Sequence, residues 1–139
     1  MKIVVIDGQG GKMGCTFIDR FKKTGNDAFI MAVGTNSTAS AAMKKAGADA
    51  AATGENPVRV AVKDADYVVG PIGILAADAM YGEVTPEIAR EVGSCKAQKI
   101  LFPFNTCDFY VLGVNAAKMN DLCDEAINKI ISDEKKASK

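Results

Sequence analysis

A glycine-rich segment near the start of the chain has the composition of a phosphate-binding turn. Four glycines within residues 8–14 follow an apolar run at residues 2–7, and a helical pattern begins directly after them. Glycines allow a tight turn and let backbone N–H groups approach an anion, while a helix N-terminus adds partial positive charge. We therefore predict that this turn binds the phosphate of a nucleotide-type ligand. Its residues are Gly8, Gln9, Gly10, Gly11, Lys12, Met13 and Gly14.

Small or polar residues also follow three other predicted strands. They are Gly34, Thr35 and Asn36, then Gly70, Pro71, Ile72 and Gly73, and finally Asn105. The carboxyl ends of parallel strands meet at one edge of a sheet, so we expect these residues to complete the ligand site. Thr35 and Asn36 would contact a ribose, and Gly70–Gly73 would let the ligand lie flat. The alternative is that they serve only turns and helix caps, where Gly, Asn and Thr are common.

Two residues are candidate catalytic groups. Glu83 lies in a predicted turn that could fold back over the strand ends, where a carboxylate can act as a general acid or base. Cys107 follows the fifth predicted strand, where a helix dipole or a lysine could activate its thiolate. Each residue also has a structural interpretation: Glu83 would favour the N-terminus of the next helix, and Cys107 would be a small buried apolar group. We expect the carboxylate of Asp7, which ends the first predicted strand, to bond loop amides.

The chain contains no histidine. Histidine is the usual general base and the usual zinc ligand, so this composition excludes a Ser–His or Cys–His hydrolase and a His-ligated zinc site. No metal site is predicted. The residue types leave open whether the protein is an enzyme.

Apolar runs of strand length alternate with helical patterns along the chain. The predicted strands lie at about residues 2–7, 28–33, 48–52, 67–69 and 99–102, with a sixth apolar run at residues 109–112. One of the intervening helices is predicted to end at Met80. The alternation predicts an α/β fold, a single-domain, three-layer, doubly wound and mostly parallel sheet of the Rossmann-like type. We place this domain at residues 1–132 and a charged C-terminal tail at residues 133–139.

Charge and cysteine content narrow the partners and the location that we expect. The chain has 139 residues, in which 17 Lys and Arg balance 17 Asp and Glu, so no overall field favours nucleic acid or an anionic membrane. No signal peptide or membrane-spanning run is evident. The four cysteines are dispersed, and we expect reduced thiols in a cytoplasmic protein. A chain of this size leaves no room for a separate substrate domain, so we also expect a homodimer.

The glycine spacing resembles one class of NAD(P)-binding loop. Gly8-x-Gly10-Gly11-x-Met13-Gly14 is similar to the loop of dihydrodipicolinate-reductase-type and some prephenate-dehydrogenase-type domains, over one strand–loop–helix unit. The resemblance implies pyrophosphate binding, with NADP or NAD as cofactor. Met13 departs from the pattern at the third glycine position, and Thr35 and Asn36 stand where a carboxylate usually binds the ribose. NADP, NAD, a mononucleotide and another phosphorylated metabolite therefore all stay open as ligands.

Over its whole length the chain resembles a family of small bacterial proteins known only as a domain of unknown function. The stretches that carry this resemblance are Ile6-Asp7-Gly8-Gln9-Gly10-Gly11, Gly34-Thr35-Asn36, Ala52-Thr53-Gly54-Glu55-Asn56, Gly70-Pro71-Ile72-Gly73, Gly82-Glu83-Val84-Thr85-Pro86 and Pro103-Phe104-Asn105. The resemblance implies a Rossmann-like domain and supplies no activity. We therefore expect a small protein that binds a nucleotide or phosphometabolite. The alternatives are an NADP-dependent reductase or a transferase completed at a dimer interface, and a non-catalytic scaffold or regulatory module.

Overall fold

Five parallel strands form the central layer of the protein in a computed structural model, which describes residues 1–104, 109–114 and 118–138. They are β1 (Lys2–Asp7), β2 (Phe29–Gly34), β3 (Ala50–Thr53), β4 (Tyr67–Pro71) and β5 (Gln98–Phe102). The strands lie in the order β3-β2-β1-β4-β5, and every neighbouring pair is parallel. The chain extends the sheet from β1 in one direction and then, from β4, in the other. The predicted doubly wound α/β fold is confirmed.

Helices cover both faces of this sheet. Within the described residues the α-helices are α1 (Lys12–Lys22), α2 (Ser37–Lys45), α3 (Glu55–Ala61), α4 (Pro86–Ser94) and α5 (Met119–Ala137). Helices α1, α2 and α5 pack with Ile3 and Val5 on one face, whereas α3 and α4 pack with Val4 and Ile6 on the other. Alternate residues of a strand point to opposite faces, so β1 contributes to both cores. Burial on both faces explains why this strand is a continuous apolar run.

The strand register aligns the residues that end the strands. Asp7 of β1 lies opposite Gly34 of β2, and Gly34 lies opposite Thr53 of β3. On the other side of β1, Val5 lies opposite Val69 of β4. The loops that follow β1, β2 and β4 therefore leave the sheet at the carboxyl ends of its strands. They lie next to the point between β1 and β4 where the order in which strands are added reverses. Doubly wound sheets bind their ligands at this place.

The sixth apolar run is not a strand, contrary to its pattern. Residues 109–114 carry no strand, and within this segment Tyr110 and Leu112 are 89% and 84% exposed. The edge of the sheet on this side is β5. An apolar run of four residues is too short to distinguish a strand from another segment by pattern alone.

The helix predicted to end at Met80 is also absent. A short 3₁₀ helix at Ile72–Leu75 follows β4, and turns lead from it to α4. Asp78, Met80 and Tyr81 have positive φ angles of 68°, 57° and 57°. A right-handed helix cannot contain such angles, and the backbone hydrogen bonds of this segment are those of tight turns, such as Gly82 N–H to the Asp78 carbonyl at 3.1 Å.

Helix α5 continues beyond the boundary proposed for the domain. It extends to Ala137 and so includes most of residues 133–139, for which the sequence predicts a charged tail. The Tyr67 hydroxyl of β4 donates a hydrogen bond of 3.2 Å to Glu134 within this part of the helix. The division of the chain at residue 132 stays a prediction. Among the described helices, none combines the length and the apolar character needed to cross a membrane.

Substitution of Gly70 tests how closely β4 packs against β1. A Cβ at this position would lie 2.5 Å from the Ile6 carbonyl oxygen, which belongs to the backbone and cannot rotate away. We expect Gly70→Ala to lower the free energy of unfolding by about 1–3 kcal/mol, as overpacking does elsewhere. Urea denaturation followed by circular dichroism measures the change.

Gly93→Ala is the matched control for this substitution. Gly93 lies in α4, where a Cβ would meet nothing closer than 3.8 Å and alanine is the better helix former. Its stability should be unchanged or higher. Equal stability of the Gly70 variant and the wild type would contradict the packing described for β4.

Candidate functional site

The loop after β1 is a tight turn that leads into α1. The Gly11 N–H donates a hydrogen bond of 2.9 Å to the Gly8 carbonyl, and Gln9 within this turn has a φ of 50°. Gly11 precedes α1 with a φ of 73°, and a Cβ there would lie 3.1 Å from the Ala39 backbone of α2. Glycine is required at position 11 for both reasons. No side chain caps the N-terminus of α1.

The carboxylate of Asp7 holds the two ends of this loop together. Its Oδ1 accepts a hydrogen bond from the Gly8 N–H and its Oδ2 accepts one from the Gly14 N–H, both at 2.8 Å. Asp7 is only 5% exposed. Burial raises its pKa, the N–H groups of Gly14 and Gly8 offset part of that rise, and the charge of Glu83 adds to it. The bonds to loop amides expected for Asp7 are present, and they occupy the Gly14 N–H.

Glu83 joins the ends of β1 and β2 from the connection between β4 and α4. Its Oε1 accepts hydrogen bonds from the Gln9 N–H at 2.9 Å, the Thr35 hydroxyl at 2.7 Å and the Asn36 side-chain amide at 2.7 Å. Burial raises the pKa of Glu83, but the three hydrogen bonds outweigh it and bring the pKa below its ordinary value of 4.5. Glu83 is therefore ionised at neutral pH and suits the role of an acceptor or base.

The backbone that carries Glu83 is held in an unfavourable conformation. Left-handed φ angles at Asp78, Met80 and Tyr81 cost about 1–2 kcal/mol for each residue with a side chain. Met80 is 4% exposed and packs against Gly8, where a Cβ would lie 2.7 Å from the Met80 sulfur. Gly8 thus makes room for the connection that bears Glu83, in addition to shaping the loop.

Asn36 and Gly34 have clear structural roles at the end of β2. Asn36 caps α2, because its Oδ1 accepts a hydrogen bond of 2.8 Å from the Ala39 N–H, and its Nδ2 also donates to the Gln9 carbonyl at 2.9 Å. A Cβ on Gly34 would lie 2.6 Å from the Ser40 N and from the Asn36 carbonyl oxygen. The cap and turn alternative therefore accounts for these two residues, and Thr35 is occupied by Glu83.

A cavity of about 200 Å³ lies against the glycine loop. It is lined by residues 7–13, Pro71, Met80, Phe104 and Met119. Within the described residues, the N–H groups of Gly10 and Lys12 make no hydrogen bond, and a Cβ on Gly10 would meet nothing within 4 Å. These two donors at the N-terminus of α1 are therefore open to a ligand.

The remaining predicted residues lie apart from this cavity or outside the described residues. Ile72 lines a separate groove of about 960 Å³ between β5 and α5, and Gly73 is buried in the 3₁₀ helix after β4. Asn105 and Cys107 lie outside the described residues. Among residues 1–104, 109–114 and 118–138, no three Cys, Asp or Glu side chains are close enough to share a metal ion.

Comparisons with known proteins identify a family without an activity. A family model described as Domain of unknown function (DUF3842) matches residues 2–135. No curated protein matches the sequence. Among solved structures, the chain is similar to a dodecameric FMN-dependent UbiX-like decarboxylase from Escherichia coli O157:H7. The identity is 10% and the TM-score 0.45, over 96% of this chain and 94% of that chain, and so weak a likeness indicates nothing about ligands or chemistry.

The charge of Glu83 should make the protein less stable in acid. A carboxylate whose pKa is lowered by folding stabilises the protein above its unfolded pKa, and this contribution is lost as the pH falls through the folded pKa. We expect the wild type to be more stable than Glu83→Gln at neutral pH, with the difference disappearing as the pH drops below 4.5. Urea denaturation at a series of pH values gives both curves.

Glu125→Gln, which removes an exposed carboxylate on α5, is the charge-matched control. The difference in unfolding free energy between Glu125→Gln and the wild type should not show the pH dependence expected for Glu83→Gln. A stability difference between the wild type and Glu83→Gln that stays constant from neutral to acid pH would show that the charge of Glu83 does not matter.

Proposed function

We infer that this chain, which belongs to the family described as Domain of unknown function (DUF3842), binds a phosphorylated small molecule of nucleotide type at the carboxyl edge of its sheet. The phosphate would lie at the glycine loop between β1 and α1. The observation that carries this proposal is the pair of open N–H donors, at Gly10 and Lys12, beside a cavity at the uncapped N-terminus of α1.

The electrostatics of this helix end favour an anion. The N-terminus of an α-helix carries about half a unit of positive charge, and N–H groups without a partner point along the helix axis towards the ligand. Helix α1 has 11 residues and no acidic residue in its first turn. Its first residue, Lys12, adds a full positive charge at the same end.

The acidic residues of the site limit how strongly it can hold a bare phosphate. Asp7 occupies the N–H groups of Gly8 and Gly14, and Glu83 occupies that of Gln9. The Gly11 N–H closes the turn on the Gly8 carbonyl, and the Met13 N–H also interacts with the Asp7 carboxylate. Within the described residues, the N–H groups of Gly10 and Lys12 therefore remain for the anion, beside two carboxylates that repel it. We expect inorganic phosphate alone to bind weakly, with most of the affinity coming from the rest of the ligand.

The size of the cavity supports a ligand that lies partly on the surface. Ordinary ligand pockets enclose about 300–1,000 Å³, and this cavity has about 200 Å³. A phosphate and adjoining atoms fit inside it, and a base or a second nucleotide half would lie across the strand ends. NADP, NAD and mononucleotides all belong to the proposed class. A partner subunit in the predicted homodimer would cover the exposed part of the ligand.

Calorimetric titration with inorganic phosphate, AMP, ATP, FMN, coenzyme A, NAD and NADP tests the proposal. We expect at least one of the organic ligands to bind. Gly10→Asp should then weaken that binding about tenfold or more, because its carboxylate would face the phosphate. The substitution should not disturb folding, since a Cβ at this position meets nothing within 4 Å and the φ angle is not left-handed.

Gly10→Asn is the isosteric, uncharged control and should bind with nearly wild-type affinity. Absence of binding for all seven compounds would reject the proposed function. Full affinity in a folded Gly10→Asp variant would place the phosphate elsewhere.

A further inference from the structure

The two carboxylate oxygens of Glu83 differ in the hydrogen bonds that they accept. Oε1 accepts three hydrogen bonds, from the Gln9 N–H, the Thr35 hydroxyl and the Asn36 amide. Oε2 accepts none from the part of the chain that the structure describes, and Glu83 is only half-buried. The bonds to Oε1 fix the orientation of the carboxylate, so Oε2 remains as an oriented, charged acceptor for hydroxyl donors.

Glu83 reaches the end of β2 from another part of the chain. Rossmann-like domains usually place Asp or Glu at the end of the second strand, where it accepts hydrogen bonds from ribose hydroxyls. Gly34, Thr35 and Asn36 stand at that end here, and none of them carries a carboxylate. Thr35 and Asn36 instead hold Glu83 there, each at 2.7 Å. The connection between β4 and α4 thus supplies the acidic group that the end of β2 lacks.

A role at the N-terminus of α4, the structural alternative considered for Glu83, does not account for its position. The N-terminus of α4 is already capped by Thr85, whose hydroxyl accepts a hydrogen bond from the Ile88 N–H, and Glu87 supplies negative charge in its first turn. Glu83 nevertheless lies on a connection with left-handed angles at three residues that are not glycine. Strain of this kind persists where the surrounding structure imposes it, commonly at ligand sites.

We infer that Glu83 is the ribose-binding carboxylate of the site. Its Oε2 accepts hydrogen bonds from the 2′- and 3′-hydroxyls of a 5′-phosphorylated ribose compound whose phosphate lies at the N–H groups of Gly10 and Lys12. This assignment rests on the proposed phosphate site and narrows its ligand from any phosphorylated metabolite to a ribonucleotide. A carboxylate at this place repels a phosphate on the 2′-oxygen, so a free 2′-hydroxyl is favoured over the adenosine 2′-phosphate of NADP.

Deoxy analogues test the assignment on the unmodified protein. Calorimetry compares AMP with its 2′-deoxy and 2′,3′-dideoxy forms, and with inorganic phosphate. We expect the dideoxy form to bind about tenfold more weakly than AMP, as is typical for the loss of a hydrogen bond to a charged group. This comparison stands without any substitution in the protein.

Glu83→Gln gives the matched variant. Its amide oxygen can still accept the three hydrogen bonds made to Oε1, whereas an NH₂ group, a donor, replaces Oε2. We expect the variant to bind AMP about tenfold more weakly than the wild type. It should bind the dideoxy form and phosphate no more weakly than the wild type does, because the substitution also removes the repulsion between the carboxylate and the phosphate. Glu87→Gln removes an equal charge from the first turn of α4 and should keep the preference for AMP.

Three results would overturn the assignment. Equal affinity of the wild type for AMP and the dideoxy form would show that the hydroxyls are not recognised. Tighter binding of AMP by Glu83→Gln would show that the carboxylate blocks the site. Binding of phosphate with no gain from the ribose would reject the ribose contact and leave the phosphate site intact. If neither AMP nor any of the other six compounds titrated above binds, the proposed phosphate site is itself wrong.

Discussion

The buried carboxylate of Asp7 is the constraint on which the site depends. One side chain at the end of β1 accepts hydrogen bonds from the N–H groups of Gly8 and Gly14, at opposite ends of the loop. The loop thereby takes a defined shape although it contains four glycines. An isolated charge is unfavourable at this depth, which is why the pKa of Asp7 is raised. Asp7 thereby ties the first turn of α1 to the end of β1, while the packing of Phe17 and Phe21 in the core holds the rest of the helix.

The arrangement differs from a loop that is built to surround a phosphate with backbone donors. Most N–H groups between residues 8 and 14 are occupied by the protein itself, through Asp7, Glu83 and the turn that Gly11 closes. Few donors therefore remain for a ligand. Glu83 adds a second fixed charge at the end of β2, so the strand ends present a short row of donors beside an acceptor.

Sequence patterns predict the layers of this protein well and the site only in part. The burial of Ile3–Ile6 on both faces of the sheet produces an apolar run that periodicity detects. Periodicity cannot reveal the contacts of Glu83, because its hydrogen-bond partners are distant in sequence. Gln9, Thr35 and Asn36 are 74, 48 and 47 residues away. The helix prediction at Met80 is wrong because Met80 and Tyr81 have positive φ angles in a segment of tight turns, and the residue types at 80 and 81 give no sign of these angles.

Tyr81 combines an exposed aromatic ring with an unfavourable backbone conformation. Its side chain is fully exposed at a φ of 57°, a conformation that glycine or asparagine adopts at lower energy. The fold gains no packing from the ring and still bears the strain. Directed evolution for thermal tolerance would therefore remove Tyr81 early, whereas selection on a bound ligand would retain it if the ring lies against that ligand. The residue type found at position 81 after each selection would show whether stability or ligand binding determines it.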